Sequence, residues 1–273
     1  MHDAKLAFIG GGNMARSLIG GLIGSGTKAA DICAADPDPT QRDDLSRRFS
    51  IAVTGENAAA VADADVVVFA TKPQALKGAI AGLGTPGSKP LYVSVAAGIR
   101  VADIHRWLGV DAAIVRAMPN TPALLGCGVT ALYANPSVSA EQRELAETLL
   151  RAAGAIVWVP DEQQMDAVTA LSGSGPAYFF YMIEIMTRTG VELGLAPDAA
   201  ALLAQETALG AARMAMESEE TVDALRARVT SPGGTTAAAL AVMESQGVAD
   251  GIAAGVRAAC ARSAELAREF GTD

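Results

Sequence analysis

Hydrophobic and polar positions alternate on two different periods along this chain, and the period changes near residue 160. In the first part, short apolar runs stand between amphipathic stretches. Leu6–Ile9 predicts a first strand and Asn13–Ile23 a helix rich in small residues. Ile32–Ala35 predicts a second strand that ends at Asp36-Pro37, and Thr40–Phe49 a helix with a polar face. Asp65-Val66-Val67-Val68-Phe69-Ala70 is almost continuously apolar, as expected of a parallel strand covered on both sides. Leu91–Val95 repeats that signature, and Ala112–Arg116 and Ala155–Val159 close the series. This alternation predicts an α/β N-terminal domain: an open parallel sheet with helices on both faces.

After Pro160 strand-like runs disappear. Long stretches rich in alanine, leucine and methionine follow at Tyr178–Leu193, Asp198–Met216 and Val248–Phe270, with Gly194 at a helix stop and Pro197 at a helix start. The boundary is expected at Pro160-Asp161, giving a dinucleotide-binding domain over 1–160 and an all-α domain over 161–273. The alanine-rich segment from Ala199 to Ala215 is apolar on more than one side. A helical domain of this size does not bury such a surface alone, so an intersubunit contact is expected.

Composition narrows the classes of function. The 273 residues carry a formal charge of −9 with no basic block, which argues against a nucleic-acid partner. Three widely spaced cysteines, Cys33, Cys127 and Cys260, make neither a disulfide framework nor a zinc pattern and suit a reducing compartment. No signal peptide is visible ahead of the first strand, and the apolar charge-free run Ala167 to Ile183 is broken by Ser172-Gly173-Ser174-Gly175-Pro176. A cytoplasmic protein without a membrane partner or metal is expected. Histidine occurs only as His2 and as His105, the latter on an expected surface helix. Catalysis that depends on histidine is therefore improbable. No lysine follows Lys89, so a catalytic lysine in the second half is excluded.

Several loops carry candidate chemistry. Gly10-Gly11-Gly12-Asn13-Met14-Ala15 follows a strand and opens a helix, the setting that a dinucleotide fingerprint requires. Gly10 allows the tight turn, Gly12 lets backbone approach a pyrophosphate, and Ala15 permits close helix–strand packing. Asp36, at the end of the second strand, suits a ribose hydroxyl and disfavours a 2′-phosphate. Arg42, Arg47 and Arg48 follow closely, and any one of them is placed to meet such a phosphate, so the choice between NADH and NADPH stays open. Ala70-Thr71-Lys72-Pro73 and Ser94-Val95-Ala96-Ala97-Gly98 end two further strands, where ligand crevices form. Lys72 is a candidate for a phosphate or ribose, against a plain strand-to-helix turn opened by Pro73. Ala96, Ala97 and Gly98 leave room for a flat nicotinamide. Met118-Pro119-Asn120-Thr121-Pro122 is either a stiff turn or a site where Asn120 donates to a ligand. Leu171–Tyr178 reads as a junction between two helices, a hinge or a ligand contact. Ser231-Pro232-Gly233-Gly234-Thr235-Thr236 is suited to an anion and a polar ring atom. Ser231 or Thr235 capping a helix over Thr236–Met243 is the plainer reading, and the two are compatible.

In order and spacing these segments resemble one family along nearly the whole chain, the pyrroline-5-carboxylate reductases. Leu171–Tyr178 and Ser231–Thr236 are the most specific. The resemblance implies reduction of L-1-pyrroline-5-carboxylate to L-proline by NADPH or NADH, the last step of proline biosynthesis. It also implies a Rossmann-like N-terminal domain and a helical C-terminal domain that interleaves with its twin in a homodimer, and in some members a ring of five dimers. It assigns Gly10, Gly12, Asn13, Met14, Asp36, Asn57, Ala70, Lys72, Pro73, Ala96, Ala97, Gly98 and Asn120 to the cofactor. Ser231, Gly233, Gly234, Thr235 and Thr236 fall to the substrate, with Thr236 at the ring nitrogen. Another imine or hydroxyacid reductase of the same architecture is the competing reading, but β-hydroxyacid dehydrogenases use a lysine in the helical domain. A non-catalytic nucleotide-binding regulator would not need the Ser231–Thr236 loop.

Overall fold

The computed structural model describes residues 4–84 and 89–271. Its sheet has the strands β1 (Leu6–Ile9), β2 (Ile32–Ala35), β3 (Ala52–Thr54), β4 (Val66–Phe69), β5 (Leu91–Ser94), β6 (Ile114–Met118), β7 (Gly128–Ala134) and β8 (Gly154–Trp158). Their order is β3-β2-β1-β4-β5-β6-β7-β8. The pairs from β3 through β6 are parallel, in the register Ile9↔Ala35 and Ile9↔Phe69. β7 runs antiparallel to β6, with Arg116 opposite Tyr133, and parallel to β8. The expected strands are therefore joined by two more, and the parallel sheet contains one antiparallel pair.

The strands are buried on both faces because successive side chains point to opposite sides. Leu6, Phe8, Val66, Val68, Leu91 and Val93 enter one apolar layer. Ala7, Ile9, Val67, Phe69 and Tyr92 enter the other. The helix α1 (Asn13–Gly24) sends Leu18 and Leu22 into the first layer, where α2 (Pro39–Phe49) adds Leu45 and α6 (Ala140–Arg151) adds Leu149. The helices α3 (Asn57–Val61), α4 (Pro73–Ala81) and α5 (Val101–Leu108) cover the second layer with Val61, Leu76, Ile80 and Ile104. Each of these fully buried large aliphatic side chains contributes about 1.5–3 kcal/mol. Local signals set the helix starts. Asp38 caps α2 by accepting the Thr40 N–H at 2.8 Å ahead of Pro39, and Ser139 with Gln142 forms a capping box on α6.

Two compact units emerge. The first holds the described residues through Gly173 together with those from Ala259 onward, and the second is Ser174–Ala258. Within the first unit lie α7 (Gln164–Val168) and a π-helical turn at Thr169–Gly173. A Cβ on Gly173 would stand 2.5 Å from Met118 Cε, so a larger residue there would displace the end of the Met118 side chain. Within the same unit, Asp166 accepts from Arg100 at 3.0 Å and from Ser263 at 2.8 Å. Buried Arg116 donates to Glu162 at 3.0 Å.

In the second unit α8 (Gly175–Glu192) follows, with Pro176 in its first turn, so the expected junction at Leu171–Tyr178 is helical almost throughout. Next come α9 (Pro197–Glu217), packed on α8, then α10 (Val222–Arg228), α11 (Thr235–Ser245) and α12 (Val248–Phe270). On α8 and α9, Phe179, Phe180, Tyr181, Leu202 and Leu203 are exposed, and Ala200 and Ala204 are buried. No described helix is long and apolar enough to cross a membrane.

Candidate dinucleotide cavity and substrate loop

A cavity of about 800 Å³ opens at the C-terminal ends of β1, β2 and β4. This is where the strand order reverses: β2 lies on one side of β1 and β4 on the other. Such switch points hold ligands in open α/β sheets. Gly10, Gly12, Asn13, Asp36, Asn57, Ala70 and Lys72 all line this cavity.

The first two glycines of interest differ in their reasons. Gly10 has φ of +100°, and a Cβ there would come within 2.8 Å of the Ala70 carbonyl oxygen. The fold itself needs glycine at that position. Gly12 is extended and caps α1, and a Cβ on it would meet nothing within 4 Å. No protein atom requires its missing side chain. The space it leaves is cavity, in front of the unpaired N–H groups at the start of α1, and that arrangement fits a pyrophosphate. The Thr71 hydroxyl, also at the cavity, is buried with no hydrogen-bond partner, which leaves a polar group for a ligand to satisfy. The residues present therefore fit a dinucleotide.

Asp36 holds the rim together. Its Oδ2 accepts the Gly11 N–H at 2.7 Å and its Oδ1 accepts the Asp38 N–H at 2.9 Å. The arginines near it are engaged elsewhere. Arg42 donates to the Asp36 and Pro37 carbonyl oxygens at 2.7 and 2.9 Å. Arg47 and Arg48 reach Asp44 at 3.3 and 2.7 Å. The hydrogen bond from Arg48 holds the Asp44 carboxyl below the usual carboxylate range, with Arg47 and Arg16 adding to the effect. Arg16, Gln41 and Thr71 also line the cavity, and sequence reasoning did not single them out. For Arg16 the available signal was its place one turn after Asn13 in a helix that starts at the cavity.

The remaining expected cofactor residues lie outside the lining. Met14 packs against the apolar layer and Pro73 opens α4. Ala96, Ala97 and Gly98 follow β5; Gly98 has φ of +74°, and a Cβ there would lie 3.3 Å from Phe270 Cδ2. Asn120 uses both ends of its amide within the protein. Its Oδ1 accepts the Val129 N–H at 3.0 Å, and its Nδ2 donates to the Ser172 carbonyl at 3.2 Å. His105 is exposed beside Asp111, 3.7 Å away.

The loop before α11 is a tight turn in the second unit. Gly233 has φ of +71°, and the Gly234 N–H donates to the Ser231 carbonyl at 3.0 Å. A Cβ on Gly234 would stand 2.6 Å from Ser231 Oγ, so the turn has no room for one. The helix begins one residue earlier than expected, at Thr235, and Gly234 is its N-cap with no side-chain cap bond. Neither Ser231 nor Thr235 caps it. The first helical bond runs from Ala238 N–H to the Gly234 carbonyl at 3.1 Å. The N–H groups of Thr235, Thr236 and Ala237 precede it and stay open to an anion. Ser231, Gly233 and Thr235 are exposed, and Gly234 and Thr236 are half-buried.

Known proteins resemble this chain along nearly its whole length. Residues 162–266 match the family described as pyrroline-5-carboxylate reductase dimerisation, and residues 5–98 match the family described as NADP oxidoreductase coenzyme F420-dependent. A pyrroline-5-carboxylate reductase of Pseudomonas aeruginosa is 52% identical over 99% of this chain and 100% of its own length. One from Synechocystis is 41% identical over 97% of this chain and 99% of its own. The solved structure of a pyrroline-5-carboxylate reductase from Coxiella burnetii superimposes with a TM-score of 0.90 at 41% identity, covering 96% of this chain and 98% of its own. That of Plasmodium falciparum pyrroline carboxylate reductase with NADP bound gives 0.87 at 27% identity, covering 98% and 99%.

Proposed function

The chain belongs to the pyrroline-5-carboxylate reductase family, and from that premise we infer that it reduces L-1-pyrroline-5-carboxylate to L-proline with NADH or NADPH, closing proline biosynthesis. The observation that carries this reading is the dinucleotide cavity at the switch point of the sheet, in a chain related to these reductases from end to end.

The chemistry asks little of acid–base groups. Once its nitrogen is protonated, the ring imine carbon is a good hydride acceptor, and the reduced nicotinamide supplies the hydride. The protein's part is to orient, and a scarcity of histidine is no obstacle to that. In this reading Ser231, Gly233, Gly234, Thr235 and Thr236 form the substrate loop. The open N–H groups at the start of α11 hold the substrate carboxylate, and the Thr236 hydroxyl oxygen accepts the N–H of the protonated ring nitrogen. Gly10, Gly12, Asn13, Met14, Asp36, Asn57, Ala70, Lys72, Pro73, Ala96, Ala97, Gly98 and Asn120 serve the cofactor. Seven of these border the cavity; the rest shape the loops beside it or brace them.

The functional boundary lies at 160/161, close to where the dimerisation match begins. The exposed aromatic and leucine side chains of α8 and α9 support a homodimer built through this region. A cytoplasmic setting is supported by three free cysteines. Incubating the protein with pyrroline-5-carboxylate and NADH or NADPH, and separating the products by chromatography, tests the reading. Proline should accumulate. Failure to form proline, with oxidation of a 3-hydroxy acid in a parallel incubation supplied with NAD+ or NADP+, would favour the competing reductase class.

A further inference from the structure

The adenosine end of the cavity is bordered by Asp36, Asp38 and Glu56, and the arginines around it are already committed. Resting on the dinucleotide reading above, we propose that Asp36 is the specificity-determining residue and that this chain prefers NADH over NADPH.

Two backbone donors, Gly11 and Asp38, pin the Asp36 carboxylate at 2.7 and 2.9 Å, so its charge stays at the end of β2. Each carboxylate oxygen has two acceptor positions, and one protein N–H on each leaves acceptor capacity for a ribose hydroxyl. A 2′-phosphate offers no such donor and carries a charge of about −1.5 to −2. Accommodating it would require a cation at the same place. Arg42 does not line the cavity, and it is turned to the Asp36 and Pro37 carbonyls. Arg47 and Arg48 are held by Asp44.

Arg16 does line the cavity, but its guanidinium is tied to the protein. Nη1 donates to Asn13 Oδ1 at 3.0 Å, Nη2 donates to Gln41 Oε1, and Nε lies 2.9 Å from Asp44 Oδ2 as an ion pair without a hydrogen bond. Lys72 has no such partner among the described residues. It stands after β4, on the other side of β1 from Asp36, where it serves the pyrophosphate common to both cofactors. The end that distinguishes the two cofactors is therefore acidic.

The test is equilibrium binding to the full-length protein without imine, followed by the fluorescence of NADH and NADPH. Calorimetry with 5′-AMP and 2′,5′-ADP gives the same comparison for the adenosine end alone. NADH should bind at least about tenfold more tightly than NADPH. Asp36→Asn keeps the side-chain shape and removes the charge, and Asp36→Ser also removes bulk. Both should shrink the ratio of the two dissociation constants by about tenfold, even if the altered loop weakens both cofactors. Lys72→Ala should weaken both equally. NADPH binding the parent more tightly would overturn the preference, and an unmoved ratio in both Asp36 variants would overturn the role of Asp36. If neither dinucleotide binds the parent protein, the cavity reading itself falls.

Discussion

Gly10 touches Ala70 so closely that a Cβ on Gly10 would lie 2.8 Å from the Ala70 carbonyl oxygen, whereas a Cβ on Gly12 would meet no protein atom within 4 Å. The same short loop thus contains one glycine required by the fold and one that leaves space for a ligand. Gly12→Val should still fold, with a stability loss of about 1 kcal/mol for the poorer N-cap of α1. Its dissociation constant for the reduced dinucleotide should rise at least about tenfold. Gly10→Val should instead lose at least about 1–3 kcal/mol of stability from strain at positive φ. Thermal unfolding and fluorescence titration separate the two. Parent-like affinity in a folded Gly12→Val protein would contradict the assignment of the cavity.

Thr236 should matter for the imine and not for the dinucleotide. A hydrogen bond to a charged partner is worth about 1.5–3 kcal/mol, so Thr236→Ala should lower kcat/KM by about 10- to 100-fold. Thr236→Ser should retain much of the activity. Steady-state kinetics with each substrate varied in turn provides the check. Full activity in Thr236→Ala alongside a crippled Thr235→Ala would move the role one residue along the loop.

Asp44 gathers Arg16, Arg47 and Arg48, and Arg48 in particular lowers its pKa. A carboxyl with a depressed folded-state pKa contributes stability above its unfolded value of about 3.9, and that contribution disappears as pH falls through the folded value. Asp44→Asn should therefore be less stable than the parent at neutral pH, and the gap should close in acid. Urea unfolding at pH values on both sides of the carboxylate range checks the sign. A gap that widened in acid would contradict it.

The apolar face of α8 and α9 should be covered by a second copy of the chain. Light scattering should return the mass of a dimer or a multiple of it. A stable, active monomer would rule out this role for the face.

Strands covered on both sides were legible because Val66–Phe69 and Leu91–Ser94 are apolar at every or nearly every position. β3 has three residues, none of them fully buried, and gives no run to detect. β7 mixes glycine and threonine with its apolar residues, and its antiparallel pairing with β6 depends on tertiary contacts that local pattern does not encode. At the site, the position of Gly10, Gly12 and Asp36 at the cavity was legible because it follows from chain position relative to a strand end. The engagement of Arg42 and Arg48 was not, since it depends on where the Asp36 and Pro37 carbonyls and the Asp44 carboxylate lie in space. Asn120 looked available for a ligand in sequence, but the fold uses both ends of its amide.

The most direct test of the central claim follows the hydride itself. Pyrroline-5-carboxylate is reduced with cofactor deuterated at C4 of the nicotinamide, on one face and then on the other, and the proline formed is weighed by mass spectrometry. One of the two labelled cofactors should yield proline carrying a single deuterium at the former imine carbon. Unlabelled proline from both, or no proline at all, would contradict the account.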